Sequence, residues 1–343
     1  MAWLPIGRLV FVLALISVAG VITACGGGTE SESVDSKPLV IYSGRSESLV
    51  GPVIAQFSEL TGIEVRVNYG STGPLAATLL EEGSNTPADI FFAQDPGGLG
   101  TVSEMLDGLP SEVVERVPDW ARSPENKWVG ISGRARVLVY GTDSLSEADL
   151  PRSIADLTDP KWKGKLGWAP GNSSFQAMVT GMRKIWGESG TREWLEGIVA
   201  NKPREYPNNS SQVAAAADGE IEIGMVNHYY LYRFLAEEGD GFKARNWFTP
   251  EEDPGSIVLV AGAGILKASD NKDAAVRFFE FMLSSVGQQF FATQTHEYPL
   301  IEGVVTDRGL PSLDSLAKPS IDLSTLGDLE STQQLLRDVG ALP

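Results

Sequence analysis

Short apolar runs alternate with helical patterns over the first third of the folded region. Residues 39–42 form an apolar run that ends in Ser-Gly, which is typical of a buried strand. Apolar residues then recur at helical spacing up to Gly62, and alternation at residues 63–67 predicts a second strand. A second helical pattern ends at Gly83, before an apolar run at residues 89–92. Strand, helix, strand, helix and strand in this order predict a parallel α/β sheet.

The middle of the chain continues the α/β pattern and adds two isolated apolar strands. Its other predicted helices and strand lie near residues 175–185, 192–200, 221–226 and 228–238. The isolated strands lie at residues 136–140 and 257–261, and the lobe crossings are expected near residues 137–140 and 256–261. Two extended segments at these places suit a chain that crosses from one lobe to another and returns.

We therefore expect an α/β protein with two lobes and two crossover segments. The predicted first lobe comprises residues 38–137 and 260–310, and the predicted second lobe comprises residues 138–259 and 311–343. Ligands of open α/β sheets bind beyond the carboxyl ends of the strands. A ligand of this protein should accordingly bind between the lobes.

The first 24 residues have the pattern of an export signal. Arg8 is their only charged residue, and the apolar run that follows at residues 9–18 is too short to span a bilayer. Residues 22–25 (ITAC) resemble a bacterial lipobox, a motif that a peptidase cuts before the cysteine, whose sulfur carries diacylglycerol. We therefore expect residues 1–24 to be a lipoprotein signal peptide and Cys25 to be lipidated. The alternative is a chance cysteine within an uncleaved anchor.

The residues after the lipobox are small, polar or charged. Cys25 is the only cysteine in the 343 residues, so no disulfide can form within the chain. Residues 25–37 should form a lipidated, flexible tether. The formal net charge of −18 argues against nucleic-acid binding, which requires a basic face. We expect an extracytoplasmic monomer, held by its lipid at the outer face of the cell membrane.

Seven short segments together resemble one protein family. They are residues 40–44 (VIYSG), 86–92 (TPADIFF), 131–140 (ISGRARVLVY), 159–164 (DPKWKG), 227–230 (NHYY), 253–255 (DPG) and 297–300 (EYPL). In this order they resemble the ferric-iron-binding proteins of bacterial ABC importers, which have the type 2 periplasmic-binding-protein fold. The resemblance implies Fe(III) as the cargo and an ABC transporter permease as the partner.

The family's central motif is a pair of adjacent tyrosines after a strand, which supplies two phenolate oxygens to Fe(III). Tyr229 and Tyr230, called the tyrosine pair below, match this motif. Fe(III) is a hard ion that prefers anionic oxygen donors. Ionising two free tyrosines at pH 7 costs about 8 kcal/mol, which an adjacent multivalent cation offsets. We expect Asn227 to cap the following helix and to place the pair on its first turn. The alternative is an aromatic core face on this helix, formed by Tyr229, Tyr230, Tyr232 and Phe234.

The remaining metal ligands are less clearly matched. Many members of the family add a histidine and a glutamate, but Ser46 and Gln94 stand at these positions. A second branch uses further tyrosines, and by this resemblance Tyr140 joins the pair as a third phenolate that balances the charge of the ion. Glu47, in the first loop, is a further candidate. The alternative for Tyr140 is a buried tyrosine at the end of a strand.

The resemblance also implies that a small anion, such as carbonate or phosphate, or water completes the iron coordination. Short polar residues at helix starts hold such anions in the family, and a guanidinium can pair with the anion or a phenolate. The candidate metal or anion contacts are Arg45, Glu47, Gln94, Arg134, Asn172, Ser173, Ser174, Asn209 and Asn227. The alternative for the Asn-Ser-Ser run is an ordinary helix cap.

Two other classes of function compete with iron binding. An enzyme is disfavoured because the sequence contains only two histidines and neither a G-x-S-x-G elbow nor a Walker A loop. A binding protein for thiamine, a polyamine or a sulfate-like or phosphonate anion stays open, because one fold hosts many ligands. His228, beside the pair, is interpreted as a neighbouring packing residue rather than a ligand.

Overall fold

The computed structural model describes residues 37–307 and 309–343. The predicted signal peptide, Cys25 and the tether up to residue 36 lie outside the described residues. Within the described part of the chain, no helix is both long and apolar enough to cross a membrane.

Nine strands in the described residues form one mixed sheet. Their bounds are β1 Leu39–Ser43, β2 Val65–Tyr69, β3 Ile90–Ala93, β4 Val129–Gly141, β5 Leu166–Trp168, β6 Arg204–Glu205, β7 Ile223–Asn227, β8 Ala244–Trp247 and β9 Val258–Ile265. Hydrogen bonds order them β2-β1-β3-β9-β4-β7-β5-β6, and β8 pairs with β4 outside this path. As the first elements of the sequence predict, β1 lies parallel to both β2 and β3.

Eleven α-helices accompany the sheet in the same residues. Their bounds are α1 Glu47–Thr61, α2 Thr72–Glu82, α3 Pro96–Thr101, α4 Ser111–Val114, α5 Ser173–Ile185, α6 Gly187–Ala200, α7 Asn209–Ala217, α8 Tyr229–Glu238, α9 Lys272–Met282, α10 Ser285–Phe290 and α11 Leu329–Asp338. Helix α1 ends where the sequence predicts, at Gly62. This residue has a left-handed φ of 72°, and its N–H donates to the carbonyl of Ser58.

Strand β4 connects the two halves of the sheet. Its residues from Val129 to Ala135 pair with β9, whereas those from Arg136 onward pair with β7 and β8. We call the half that contains β1, β2, β3 and β9 the first lobe, and the half that contains β5 to β8 the second lobe. The residue limits predicted above for each lobe are not fixed by these pairings and stay a prediction.

The core covers both faces of the central strands. All 13 residues of β4 and all eight of β9 are buried. Burial on both faces is typical of strands that lie between layers of other elements. Residues Lys37–Pro343 pack as one unit in this way.

Candidate metal centre

The tyrosine pair begins α8, directly after β7. Strand β7 ends at Asn227, His228 is the N-cap residue, and α8 begins at Tyr229. The pair therefore lies on the first turn of the helix, where we expected it. The prediction that Asn227 caps α8 is wrong, because the side chain of Asn227 makes other contacts that are described below.

The two tyrosine rings stack on each other. Their centroids are 4.3 Å apart and their planes differ by 28°. Tyr229 is fully buried, and its phenol oxygen has no hydrogen-bond partner among the described residues. Burial raises the pKa of Tyr230, and the neighbouring Tyr229 raises it further, whereas Arg45 and Arg134 act in the opposite direction. Tyr230 therefore stays protonated at neutral pH without a nearby cation of higher charge.

Three buried arginines, which we call the guanidinium cluster, lie near the pair. Arg45 follows β1, while Arg134 and Arg136 lie two residues apart on β4, and none is more than 1% exposed. Because side chains alternate along a strand, Arg134 and Arg136 share one face of β4.

Electrostatics connects the cluster with the pair. Burial and the charge of Arg134 lower the pKa of Arg136 to about 9, although the tyrosine pair acts in the opposite direction. Burial also disfavours the charge of Arg45, but Glu297 and the tyrosine pair together raise its pKa above the usual value. Both guanidiniums are thus close enough to the phenols for their charges to interact.

A hydrogen-bonded network joins four of the predicted anion contacts. The Oγ of Ser174 lies 3.0 Å from Nη1 of Arg134 and 3.2 Å from Nδ2 of Asn227. The Oδ1 of Asn209 accepts from the backbone N–H of Asn227 at 3.1 Å, and Nη1 of Arg136 donates to Oδ1 of Asn227 at 3.1 Å. These contacts hold the end of β7 against the start of α5.

Several donors in this network stay unused within the described protein. Nε and Nη2 of Arg134, Nε of Arg136 and Nδ2 of Asn209 are buried without a partner. Buried polar groups in folded proteins are nearly always hydrogen-bonded. A cluster of unused cationic and amide donors is therefore suited to an anionic ligand.

A cavity of about 460 Å³, called the cleft below, opens beside this network between the lobes. The first lobe contributes Ser46, Gln94 and the start of α2, and the second contributes Asn172 and Ser173 at the start of α5. Nε2 of Gln94 reaches Oγ of Ser173 across the cleft at 3.4 Å. Asn172 caps α5, because its Oδ1 accepts from the N–H of Ser174 at 3.1 Å. Asn172 thus acts as the ordinary helix cap that was its alternative interpretation, and it also lines the cleft.

His228 is engaged on both ring nitrogens. Nδ1 accepts from the N–H of Ala135 at 3.1 Å, and Nε2 lies 2.9 Å from the carbonyl oxygen of His296, to which it can donate. Burial lowers the pKa of His228 to about 3, and the charge of Arg134 contributes in the same direction. A neutral imidazole with both nitrogens in hydrogen bonds has no nitrogen available to bind a metal. This agrees with the interpretation of His228 as a packing residue.

The structure does not bring Tyr140 to the pair. Tyr140 faces Ile223 at the beginning of β7, whereas Arg136 faces Asn227 at its end. At about 3.4 Å per residue, four positions separate Tyr140 from the site by about 14 Å. Residues 136–140 of β4 pair directly with β7, so a motion of the lobes would not close this gap. We therefore correct the prediction that Tyr140 is the third ligand: it is a buried residue of the core, as its alternative stated.

Glu47 is also directed elsewhere. It is exposed as the first residue of α1 and lines a groove between α1 and β2 together with Tyr69. Burial of Tyr69 raises the pKa of its phenol, and the charge of Glu47 raises it further. Glu47 lines this exposed groove rather than contacting the tyrosine pair, so the structure gives no support to its prediction as a metal contact.

Sequence reasoning missed three charged residues of the site. Arg136 is the first residue of a predicted strand and lies two positions after Arg134, a spacing that would place both side chains on one face of a longer strand. Glu297 lies in one of the seven family-like segments, and its carboxylate forms a fully buried ion pair with Arg45. Asp95 follows Gln94, and burial raises its pKa although Arg134 lowers it. No pattern along the chain indicates that Asp95 is buried.

Comparisons with known proteins identify relatives over most of the chain. Residues 85–320 match the family of bacterial extracellular solute-binding proteins. The major ferric iron-binding protein of Neisseria meningitidis serogroup B is 35% identical over 311 residues, which cover 88% of this chain and 92% of that protein.

Similar structures that contain iron have also been solved. Iron-bound HitA from Pseudomonas aeruginosa is 32% identical and has a TM-score of 0.84, with 88% of this chain and 99% of that chain covered. The Trichodesmium protein IdiA (FutA), in complex with iron and citrate ligands, is 29% identical with a TM-score of 0.77, and 89% and 99% of the two chains are covered.

The expected two-lobed α/β fold and the expectation of a binding protein rather than an enzyme are thereby confirmed. The chain belongs to the family of bacterial extracellular solute-binding proteins, and its fold is that of the two-lobed periplasmic binding proteins.

Proposed function

We propose that the protein is an extracytoplasmic lipoprotein that captures Fe(III) between its lobes and delivers it to an ABC transporter permease. The observation that carries the proposal is the stacked tyrosine pair beside the guanidinium cluster, with a buried phenol oxygen that has no partner in the described part of the chain. The names of the relatives, a ferric iron-binding protein and an iron-bound protein, support the same cargo.

The burial of the pair explains why a highly charged cation is required. Burial raises the pKa of Tyr230, so ionisation costs more than the roughly 4 kcal/mol of a free tyrosine at pH 7. Fe(III) bound to the phenol oxygens would supply this free energy and would favour these hard donors over sulfur. The guanidinium cluster lowers the cost further, because Arg45 and Arg134 stabilise a phenolate at Tyr230.

The charges in the site favour an additional anion. Two phenolates leave one positive charge of Fe(III) uncompensated, and among the three arginines only Arg45 forms an ion pair in the described residues. Carbonate or phosphate is suited to the unused donors of Arg134, Arg136 and Asn209 and to the N-terminus of α5. Citrate is a further candidate, because the Trichodesmium relative was solved with iron and citrate.

The remaining parts of the proposal concern the whole chain. Cys25 would carry the lipid, and residues 25–37 would hold the protein near its permease at the outer face of the membrane. Residues 38–137 and 260–310 would form one lobe and residues 138–259 and 311–343 the other, with iron between them.

The tyrosine ligands can be tested by colour, because Fe(III) tyrosinate absorbs visible light. The double variant Tyr229→Phe with Tyr230→Phe keeps both rings but removes both phenol oxygens. We expect wild-type protein to turn orange-red with ferric citrate and the double variant to stay colourless. Absorption spectra after removal of unbound iron measure this difference.

Tyr232→Phe is a matched control on the same helix. Tyr232 donates to the carbonyl of Gly309 at 3.1 Å and is not part of the pair. We expect this variant to keep the colour. A coloured double variant, or a colourless Tyr232→Phe, would assign the iron to other ligands.

A further inference from the structure

An irregular segment, residues 296–298, passes beside the tyrosine pair. It follows a π-helix at Phe291–Thr295 and begins with His296, whose φ of 58° lies in the left-handed region. Such a φ is uncommon for a residue other than glycine, and π-helices are rare and occur frequently at functional sites. These two features at adjacent positions indicate that the path of this segment is strongly constrained.

The segment is bonded to β4 beside the position where that strand changes partners. Tyr298 and Gly133 exchange two backbone hydrogen bonds, of 2.9 and 2.8 Å. A Cβ atom on Gly133 would lie 3.1 Å from Cβ of Tyr298, so the close approach depends on this glycine. Since β4 leaves β9 after Ala135, the contact lies two residues before this change.

Glu297 connects the segment with the first lobe. Its carboxylate accepts from Nη2 of Arg45 and from Oγ of Ser132, and the side chains of Arg45 and Glu297 are both 0% exposed. The loop after β1, the segment and β4 therefore meet at one carboxylate.

The same segment is joined to the start of the tyrosine helix. The carbonyl oxygen of His296 lies 2.9 Å from Nε2 of His228, the residue before Tyr229. The His228 ring also packs against that of Tyr298, with centroids 4.6 Å apart. Tyr229 directly follows His228, and Glu297 lies between His296 and Tyr298, so the two residues adjoin this contact from opposite sides.

Stability alone is a poor explanation for the buried ion pair between Arg45 and Glu297. Buried ion pairs rarely stabilise a fold more than apolar residues of similar volume, because desolvating both charges is costly. Two further donors of Arg45, Nε and Nη1, are buried without partners in the described residues. An arginine that is fixed at one nitrogen, with two donors unused beside two phenols, is suited to a ligand site rather than to packing.

We propose that Glu297 is a positioning residue for the iron site: it fixes the guanidinium of Arg45 beside the tyrosine pair and links that position to β4. The inference rests on the proposed function. Arg45 then stabilises the bound tyrosinates by its charge, and Glu297 holds it there with a directed hydrogen bond.

The near-isosteric variant Glu297→Gln tests the proposal, because it removes the negative charge that anchors Arg45 and leaves the tyrosine pair intact. We expect the iron complex to remain coloured, its visible band to shift, and iron loss to a competing chelator to become about tenfold faster, equal to about 1.4 kcal/mol. Arg45→Lys retains both charges but loses the planar fork, and the same two changes are expected. It provides the test if Glu297→Gln does not fold.

Asp89→Asn is the matched control. Asp89 is a buried carboxylate of the first lobe that accepts from the N–H of Val40 and from Oγ of Ser269, away from the cleft. We expect this variant to lower stability without moving the visible band or the rate of iron loss.

The outcomes separate this inference from the proposed function. An unchanged band and an unchanged rate in folded Glu297→Gln or Arg45→Lys would overturn the positioning role only. An equal change in Asp89→Asn would also overturn it, because the effect would then be general loosening. A wild-type protein that takes up no iron would overturn the proposed function and this inference together.

Discussion

At the scale of single residues, the site combines groups with opposite electrostatic needs. Burial makes the phenolate of Tyr230 costly, and it also makes the positive charge of Arg136 costly. A phenolate in the tyrosine pair would stabilise the charge of Arg136, and the charges of Arg45 and Arg134 would stabilise a phenolate at Tyr230. Bound Fe(III) would stabilise the phenolates, and a bound anion would stabilise the buried guanidinium charges.

Tyr140 provides a test at this scale. Because Tyr140 lies four strand positions from the site, Tyr140→Phe is expected to keep the visible band and to change iron affinity less than about twofold. Titration of the purified variant with ferric citrate measures both quantities. Loss of the band would return Tyr140 to the ligand set and would require a different register of β4 and β7.

Sequence reasoning located some of these residues and not others for physical reasons. The tyrosine pair was found because its two members are adjacent in a family segment, and their side chains also share the start of one helix. Tyr140 was assigned from the family resemblance, which does not show at which edge of the sheet the end of this strand lies. Strand direction and register, which decide between the edges, come from pairing with β7 and are not visible in one strand.

At the scale of elements, the starts of helices from both lobes converge on the cleft. The first turns of α2 and α5 line it, and Asn209 at the start of α7 contacts Asn227. A helix N-terminus offers unpaired N–H groups and a positive dipole, both of which favour an anion. The cap of α5 would therefore affect both stability and the binding of an anion, if the anion binds at this helix start as proposed.

Asn172→Ala separates these two effects. Loss of the cap should lower the free energy of unfolding by about 1 kcal/mol and weaken iron binding in the presence of carbonate or phosphate. Ser284→Ala removes the cap of α10, away from the cleft, and should lower stability similarly without affecting iron. Denaturant unfolding and anion-dependent iron titrations provide the comparison. Equal iron binding by the two variants would argue against an anion at the start of α5.

The bounds of the elements show where patterns along the chain are informative. Helix α1 ends at its predicted glycine, because a left-handed C-terminal residue is a local feature. Strand β4 is much longer than the predicted strand of residues 136–140, because Gly133 and Arg134 interrupt the apolar pattern although all of β4 is buried. Their burial depends on hydrogen bonds and on the neighbouring segment at Tyr298, which are distant in sequence.

At the scale of the whole molecule, several contacts connect the two sides of the cleft. Gln94 of the first lobe meets Ser173 of the second. In the C-terminal region, Thr332 of α11 bonds to Thr180 of α5 at 2.8 Å. The backbone at Gly327 approaches α3 so closely that a Cβ on Gly100 would lie 2.9 Å from Cα of Gly327. The C-terminal region therefore packs against elements on both sides of the cleft.

The division of the site residues between the two lobes predicts a change of shape on iron binding. Because Arg45 and Gln94 follow strands of the first lobe whereas the tyrosine pair belongs to the second, bound iron and its anion would hold the lobes together. We expect the radius of gyration from small-angle X-ray scattering to decrease when Fe(III) is added. The Tyr229→Phe, Tyr230→Phe double variant should show no change. Identical scattering of the wild-type protein with and without iron would contradict closure.

The visible absorption spectrum of the purified wild-type protein, before and after ferric citrate and with or without bicarbonate, tests the central claim most directly. We predict that an orange-red tyrosinate band develops to one iron per chain, and that bicarbonate or phosphate strengthens it. Protein that remains colourless and free of metal under saturating ferric iron would contradict iron as the cargo, and would leave a two-lobed binding protein for another solute.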